Sequence, residues 1–86
     1  MPHKRAAQIK VKVKNSLSVP RTVVLEPWTT EYLLPPGRTY EILAEGDLTY
    51  PLEIELFEEQ IIVYAFDSEG AMLSVFQDGR EVQPSD

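Results

Sequence analysis

Apolar and polar residues alternate over several short stretches of the chain, with the period of two that is typical of a half-buried β-strand. The clearest stretch is residues 9–13, in which isoleucine and valines alternate with lysines. Residues 52–56 alternate leucine and isoleucine with Glu53 and Glu55. Residues 60–66 are apolar on both faces, which predicts a strand in the middle of a sheet.

Turn-forming residues separate these stretches about every 8–12 residues. Pro36-Gly37 fits the centre of a type II turn, residues 67–70 fit a type I turn, and Asp78-Gly79 predicts a two-residue hairpin. No window has convincing helical periodicity. The remaining strands are predicted at residues 22–25, 28–34, 38–44, 72–77 and 81–82. The pattern predicts an all-β protein, a small antiparallel β-sandwich of about seven strands, with a small β-barrel as the alternative.

The length of 86 residues is that of one compact domain. We predict a single domain over residues 1–86, with flexible tails at 1–7 and 83–86. A domain of this size buries only about 60–65% of the surface that its unfolded chain exposes, so self-association is one candidate source of additional stability. The chain has no cysteine, which excludes disulfides, thiolate catalysis and zinc sites that need sulfur.

The sequence shows neither the pattern of a signal peptide nor that of a membrane span. The basic amino terminus is not followed by the apolar run of a signal peptide, and no apolar stretch approaches the roughly 18 residues of a membrane span. The sequence therefore predicts a cytoplasmic protein without a membrane partner.

Charge is distributed unevenly within a net charge of −6. All 14 acidic residues lie at Glu26 or later, whereas most of the basic residues precede it. Clustered lysines can bind phosphates, but in a compact fold the acidic remainder lies within about 8–20 Å and opposes a polyanion. We therefore expect no nucleic-acid partner. The candidate association strands carry Lys10, Lys12 and Lys14 on one and Glu53 and Glu55 on the other, and they pair either within one chain or between chains.

Side chains that usually carry out catalysis are scarce. The single histidine, His3, lies in a predicted tail. Glu53 and Glu55 are about 6.5–7 Å apart along one strand face, a spacing that glycosidases use, but so small a domain has little room for a sugar-binding groove. The carboxylates at 67–69 and Asp78 match no complete calcium loop. We predict no enzymatic activity, no catalytic residue, no metal site and no cofactor.

Residues 24–40 contain the single tryptophan and two of the four tyrosines. If the chain is extended here, Trp28 and Tyr32 point the same way about 13 Å apart, and Arg38 and Tyr40 complete the face if the intervening turn folds the chain back. Such a face is suited to binding a carbohydrate, another small ligand or a protein. The interpretation that we favour places Trp28 at a corner of the core where one sheet passes to the other, because so small a core needs its largest side chain.

Three segments carry a resemblance to known proteins: Leu25-Glu26-Pro27-Trp28, the Tyr32-x-Leu34-x-Pro36-Gly37 run, and the closing Val75-Phe76-Gln77-Asp78-Gly79. Together they resemble a group of small bacterial β-proteins of no assigned activity. The resemblance spans residues 13–82, implies a small β-sandwich, and carries over no functional residue. The proline-glycine turn also resembles that of cupredoxin-like sandwiches, but the absence of cysteine and of a suitably placed histidine excludes a copper site.

The sequence thus predicts a non-enzymatic β-sandwich that acts through protein association, either with itself as a homo-oligomer or with a protein partner. The competing prediction is a ligand-binding module that uses Trp28, Tyr32, Arg38 and Tyr40 as an aromatic platform.

Overall fold

The computed structural model describes residues 7–85, which form eight β-strands in two four-stranded sheets. The first sheet has the order β1-β4-β7-β8 and the second β3-β2-β6-β5. The all-β sandwich of about seven strands is therefore confirmed, with eight strands present among the described residues. The strands are β1 (Ala7–Lys14), β2 (Arg21–Glu26), β3 (Thr30–Leu34), β4 (Thr39–Gly46), β5 (Glu53–Leu56), β6 (Gln60–Tyr64), β7 (Met72–Gln77) and β8 (Arg80–Glu81).

Three hairpins join neighbouring strands within a sheet, β2 to β3, β5 to β6 and β7 to β8, and the other connections carry the chain between the sheets. In the last hairpin both Asp78 and Gly79 have positive φ, as a type I′ turn requires, so that predicted hairpin is confirmed. The turn predicted at residues 67–70 instead closes one residue later, with Ala71 N–H donating to Ser68 O at 3.3 Å.

One pair of strands is parallel. β2 and β6 run side by side in the same direction, with Val24 opposite Ile62, whereas all other paired strands among residues 7–85 are antiparallel. The parallel pair arises because the chain passes through the first sheet, as β4, before it returns to the second. β6 lies between β2 and β5, and this central position agrees with its apolar character on both faces.

The core lies between the two sheets. Alternation along β4 is confirmed, since Tyr40, Ile42 and Ala44 are buried and the residues between them are only half-buried. The same period buries alternate residues of β3, β6 and β7, whereas β2 buries the three consecutive residues Val23, Val24 and Leu25. The core side chains are Val23, Leu25, Tyr32, Leu34, Tyr40, Ile42, Ala44, Ile61, Val63, Phe66, Leu73 and Val75.

A buried asparagine holds one end of the sandwich together. The Asn15 side chain is fully buried, and its Nδ2 donates to Val19 O at 2.8 Å and to Leu34 O at 3.0 Å. Its Oδ1 accepts from Leu17 N–H at 3.0 Å. Its backbone carbonyl accepts from Gly37 N–H at 2.7 Å. One residue thus ties the end of β1 to the end of β3 and to the turn that leads into β4.

Candidate functional site

The aromatic platform predicted from the sequence does not form. Tyr32 and Tyr40 are only 7% and 5% exposed, and both belong to the core. The Tyr40 hydroxyl donates to the carbonyl of Leu33, which links the two sheets. Arg38 is exposed, but the turn before it carries the chain from β3 across to β4 in the other sheet instead of folding it back beside β3. The predicted side chains therefore do not share an exposed face.

The favoured interpretation of Trp28 was also wrong. Trp28 is 44% exposed and lies at the tip of the hairpin between β2 and β3, within one sheet. Glu26 holds this turn, because its carboxylate accepts from both the backbone N–H and the hydroxyl of Thr29, at 3.0 and 2.9 Å. The corner between the sheets lies further along, at the predicted Pro36-Gly37 turn, where Gly37 has a φ of 76°.

The lysine-rich and glutamate-rich strands do not pair with each other within the chain. β1 pairs with β4, so that Lys12 lies opposite Glu41, whereas β5 pairs with β6 in the other sheet, where Glu55 lies opposite Ile62. Both β1 and β5 are outermost strands of their sheets. Intrachain pairing of these strands is therefore excluded, and pairing between chains stays a prediction.

One long side of the sandwich is closed by the end of the chain. β3 and β8 are the outermost strands on this side, and residues 82–85 follow β8 directly. Ser85 N–H donates to Glu31 O at 2.7 Å, and Leu33 N–H donates to the Ser85 hydroxyl at 2.9 Å. The predicted tail at 83–86 thus contacts the outer edge of β3 as far as Ser85. Residues 1–6 and Asp86 lie outside the described residues.

The opposite side, between β1 and β5, is open. A cleft of about 440 Å³ lies between the two edge strands. β1 and β5 are each the last strand of a sheet, so the outer edge of each has no neighbouring strand among residues 7–85. β1 alone presents eight residues, about 26 Å of backbone. The cleft is lined by residues 11–14 of β1 and by Arg21, Ile54, Leu56 and Ile61.

Two apolar side chains on the interior face of β5 remain exposed. Ile54 lies opposite Val63 and Leu56 opposite Ile61, and both of these partners are buried in the core. Residues that face each other across a ladder share a face of the sheet, so Ile54 and Leu56 point to the interior side. They are nevertheless 37% and 71% exposed. The open side therefore leaves part of the core face in contact with solvent.

The two edges of the cleft carry opposite charges. Lys10, Lys12 and Lys14 project from the outer face of β1 and form no ion pair with another described residue. Glu53 and Glu55 project from the outer face of β5. Glu55 accepts a 2.8 Å hydrogen bond from the Tyr64 hydroxyl. That hydrogen bond raises the pKa of Tyr64, and burial and the charges of nearby carboxylates raise it further.

Arg21 lies at the end of the cleft where β2 begins. Its Nη2 donates to the carbonyl of Phe57, which follows β5. Its Nε is buried and has no hydrogen-bond partner within the described part of the chain. Sequence reasoning missed Arg21, Ile54 and Leu56 as site residues. For Ile54 and Leu56 the reason is that the alternation with Glu53 and Glu55 indicates burial of the apolar positions.

The remaining chemistry is sparse. Residues 7–85 contain no group of three or more histidine, cysteine or acidic side chains placed to hold a metal ion. No helix in this part of the chain is long and apolar enough to cross a membrane. His3, the single histidine, lies outside the described residues.

The fold and the site define a small two-sheet β-sandwich that is closed along one side by its own chain and open along the other, between a basic and an acidic edge strand. Neither the family models, nor the curated proteins, nor the solved structures include a match to this chain. The resemblance carried by the Glu26-Pro27-Trp28 segment therefore stays a prediction.

Proposed function

We propose that this protein is non-enzymatic and acts through protein association, with the open side between β1 and β5 as its contact surface. The observation that carries the proposal is the exposure of Ile54 and Leu56 on the interior face of β5. Burying one such side chain fully contributes about 1.5–3 kcal/mol, so covering this side is favourable. The unpaired outer edges of β1 and β5 offer backbone hydrogen bonds to the same partner.

The contrast with the closed side supports this choice of surface. At β3 the chain covers its own edge through Ser85, whereas the described residues leave β1 and β5 uncovered. Lysines along an exposed strand discourage indiscriminate pairing between edges, and they favour a partner strand that carries acidic side chains. The surface therefore favours binding to an acidic strand over pairing with other exposed strand edges.

The competing function, an aromatic platform for carbohydrate or another small ligand, has less support. Of its three rings only Trp28 is exposed, because Tyr32 and Tyr40 are buried. A single exposed ring on a hairpin gives one stacking surface, whereas small-molecule sites are usually concave and lined by several side chains.

The proposal is tested by replacing Leu56 with glutamine and measuring association. In the monomer this side chain is mostly exposed, so Leu56→Gln leaves folding nearly unchanged, but it removes an apolar contact from the surface. Sedimentation velocity from micromolar to millimolar concentration should show the wild-type protein associating and the variant doing so at least about tenfold more weakly, which corresponds to about 1.4 kcal/mol.

The matched control is Leu33→Gln. Leu33 is 48% exposed on an edge strand of the same sheet, but it lies on the closed side. This variant should associate as the wild type does. Equal weakening by the two substitutions, or a wild-type protein that binds neither itself nor any other protein, would contradict the proposed surface.

A further inference from the structure

We infer that the partner of this surface is a second copy of the chain, joined by pairing β1 of each copy with β5 of the other in the same direction, about a two-fold axis parallel to the strands. This inference rests on the proposed function and specifies its partner. Each four-stranded sheet then continues into the opposite sheet of the second copy, giving two eight-stranded sheets.

The direction of pairing follows from where the strands end. Lys14 is the last residue of β1 and Leu56 the last residue of β5, and both line the cleft together with Arg21, the first residue of β2. Asn15 binds the carbonyl of Leu34, which lies opposite Arg21, so the end of β1 lies at the start of β2. β1 and β5 therefore run the same way along the open side.

The two edges are complementary in both charge and shape. On β1 the lysines point outwards while Val11 and Val13, opposite the buried Ile42 and Tyr40, point inwards. On β5 the glutamates point outwards and the apolar residues inwards. A rotation about an axis parallel to the strands keeps outer faces outer. It therefore places the glutamates of one copy beside the lysines of the other, and continues the apolar face of β1 with that of β5.

The same rotation gives both edge strands, β1 and β5, a pairing partner at once. Because β1 and β5 lie on one side, one two-fold axis forms the β1 to β5 contact twice, and the assembly closes as a dimer. The alternative two-fold axis, perpendicular to the sheets, pairs β1 with β1 and β5 with β5. It places three lysines against three lysines and two glutamates against two glutamates, and like charges opposite each other are destabilising.

Zero-length cross-linking of the native protein tests the pairing directly. Equal amounts of ¹⁴N- and ¹⁵N-labelled protein are mixed at a concentration where sedimentation shows association, coupled with a carbodiimide, digested, and analysed by mass spectrometry. We expect mixed-isotope peptides that join Lys10, Lys12 or Lys14 to Glu53 or Glu55. Because ion pairs between these lysines and glutamates stabilise the contact, association should also weaken as ionic strength rises.

The outcomes separate this inference from the proposed function. Association without mixed-isotope links between β1 and β5 overturns the pairing and leaves association through this side standing. A wild-type protein that stays monomeric overturns the self-pairing, and the proposed function then depends on another protein partner.

Charge reversal supplies a second, independent test. One variant carries Lys10→Glu, Lys12→Glu and Lys14→Glu, and the other Glu53→Lys and Glu55→Lys. Each alone should associate at least tenfold more weakly than the wild type at low ionic strength, and their equimolar mixture should restore association, since both contacts then join opposite charges. Circular dichroism checks that both fold. A mixture that does not recover overturns the inference. So does a first variant that associates with the wild type more strongly than the wild type associates with itself, which indicates β1 against β1.

Discussion

Replacing Asn15 with alanine should strongly destabilise the fold, although the residue lies in a connection and not in a strand. Its side chain forms three hydrogen bonds that join segments from both sheets. Alanine removes the two donors and the acceptor together. The carbonyls of Val19 and Leu34 and the N–H of Leu17 then lose their partner.

The size of the effect follows from the burial of each bond. The bond to Leu34 is buried, and leaving a buried acceptor unsatisfied costs about 1–3 kcal/mol. The other two bonds are only partly buried, so water can replace them at about 0.5–1 kcal/mol each. We therefore expect a loss of about 2–5 kcal/mol from an unfolding free energy that is about 5–15 kcal/mol in most domains. For a domain of this size the melting temperature should fall by about 10 °C or more.

Urea unfolding followed by far-ultraviolet circular dichroism, at one fixed protein concentration, measures this loss. Ser18→Ala, an exposed position in the same connection, is the control and should change the unfolding free energy by less than about 0.5 kcal/mol. Asn15→Asp keeps the shape and the acceptor but removes both donors, so it should destabilise at least as much as alanine. An alanine variant within 1 kcal/mol of the wild type, or an aspartate variant as stable as the wild type, would refute the reasoning.

Three further outcomes are expected. Burial raises the pKa of Tyr32 and of Tyr40 above the ordinary 10.0, so their contribution to stability is intact below pH 10 and is lost as pH rises beyond it. Replacing both with phenylalanine should flatten that alkaline decline in urea unfolding, and an unchanged slope would argue against it. Trp28 emission should be red-shifted, readily quenched by acrylamide and independent of protein concentration, because its hairpin lies at the opposite end of β2 from Arg21, which lines the cleft. A concentration-dependent shift would place the contact at the hairpin instead. Gly46→Ala should destabilise the protein more than Gly37→Ala, by roughly 1 kcal/mol or more in the same assay. Both glycines have positive φ, but only at Gly46 would an added Cβ approach a serine hydroxyl, at 3.0 Å. Equal losses from the two substitutions would show that packing at Gly46 is unimportant.

The candidate site was predictable only in part. Lys12 and Glu55 were chosen for their charge, and the structure places both on edge strands of the open side. The sequence could not show that β1 and β5 belong to different sheets, because the charges would suit direct pairing equally well. Arg21 carried no signal at all, since its place beside the cleft depends on the parallel pairing of β2 with β6.

Local pattern alone determined the strands and their faces, because side chains alternate across a strand whatever surrounds it. That alternation places Ile42 on a core face, and the suitability of Asp-Gly for the positive φ of a type I′ turn places Asp78 in a hairpin. Only the tertiary structure decided what covers each face, since that depends on strand order, and strand order is a long-range property. Leu56 has the alternation of a core residue and is exposed because its strand ends the sheet on the uncovered side. Trp28 has the size of a core residue and is exposed because it lies in a hairpin within one sheet, away from the passage between the two.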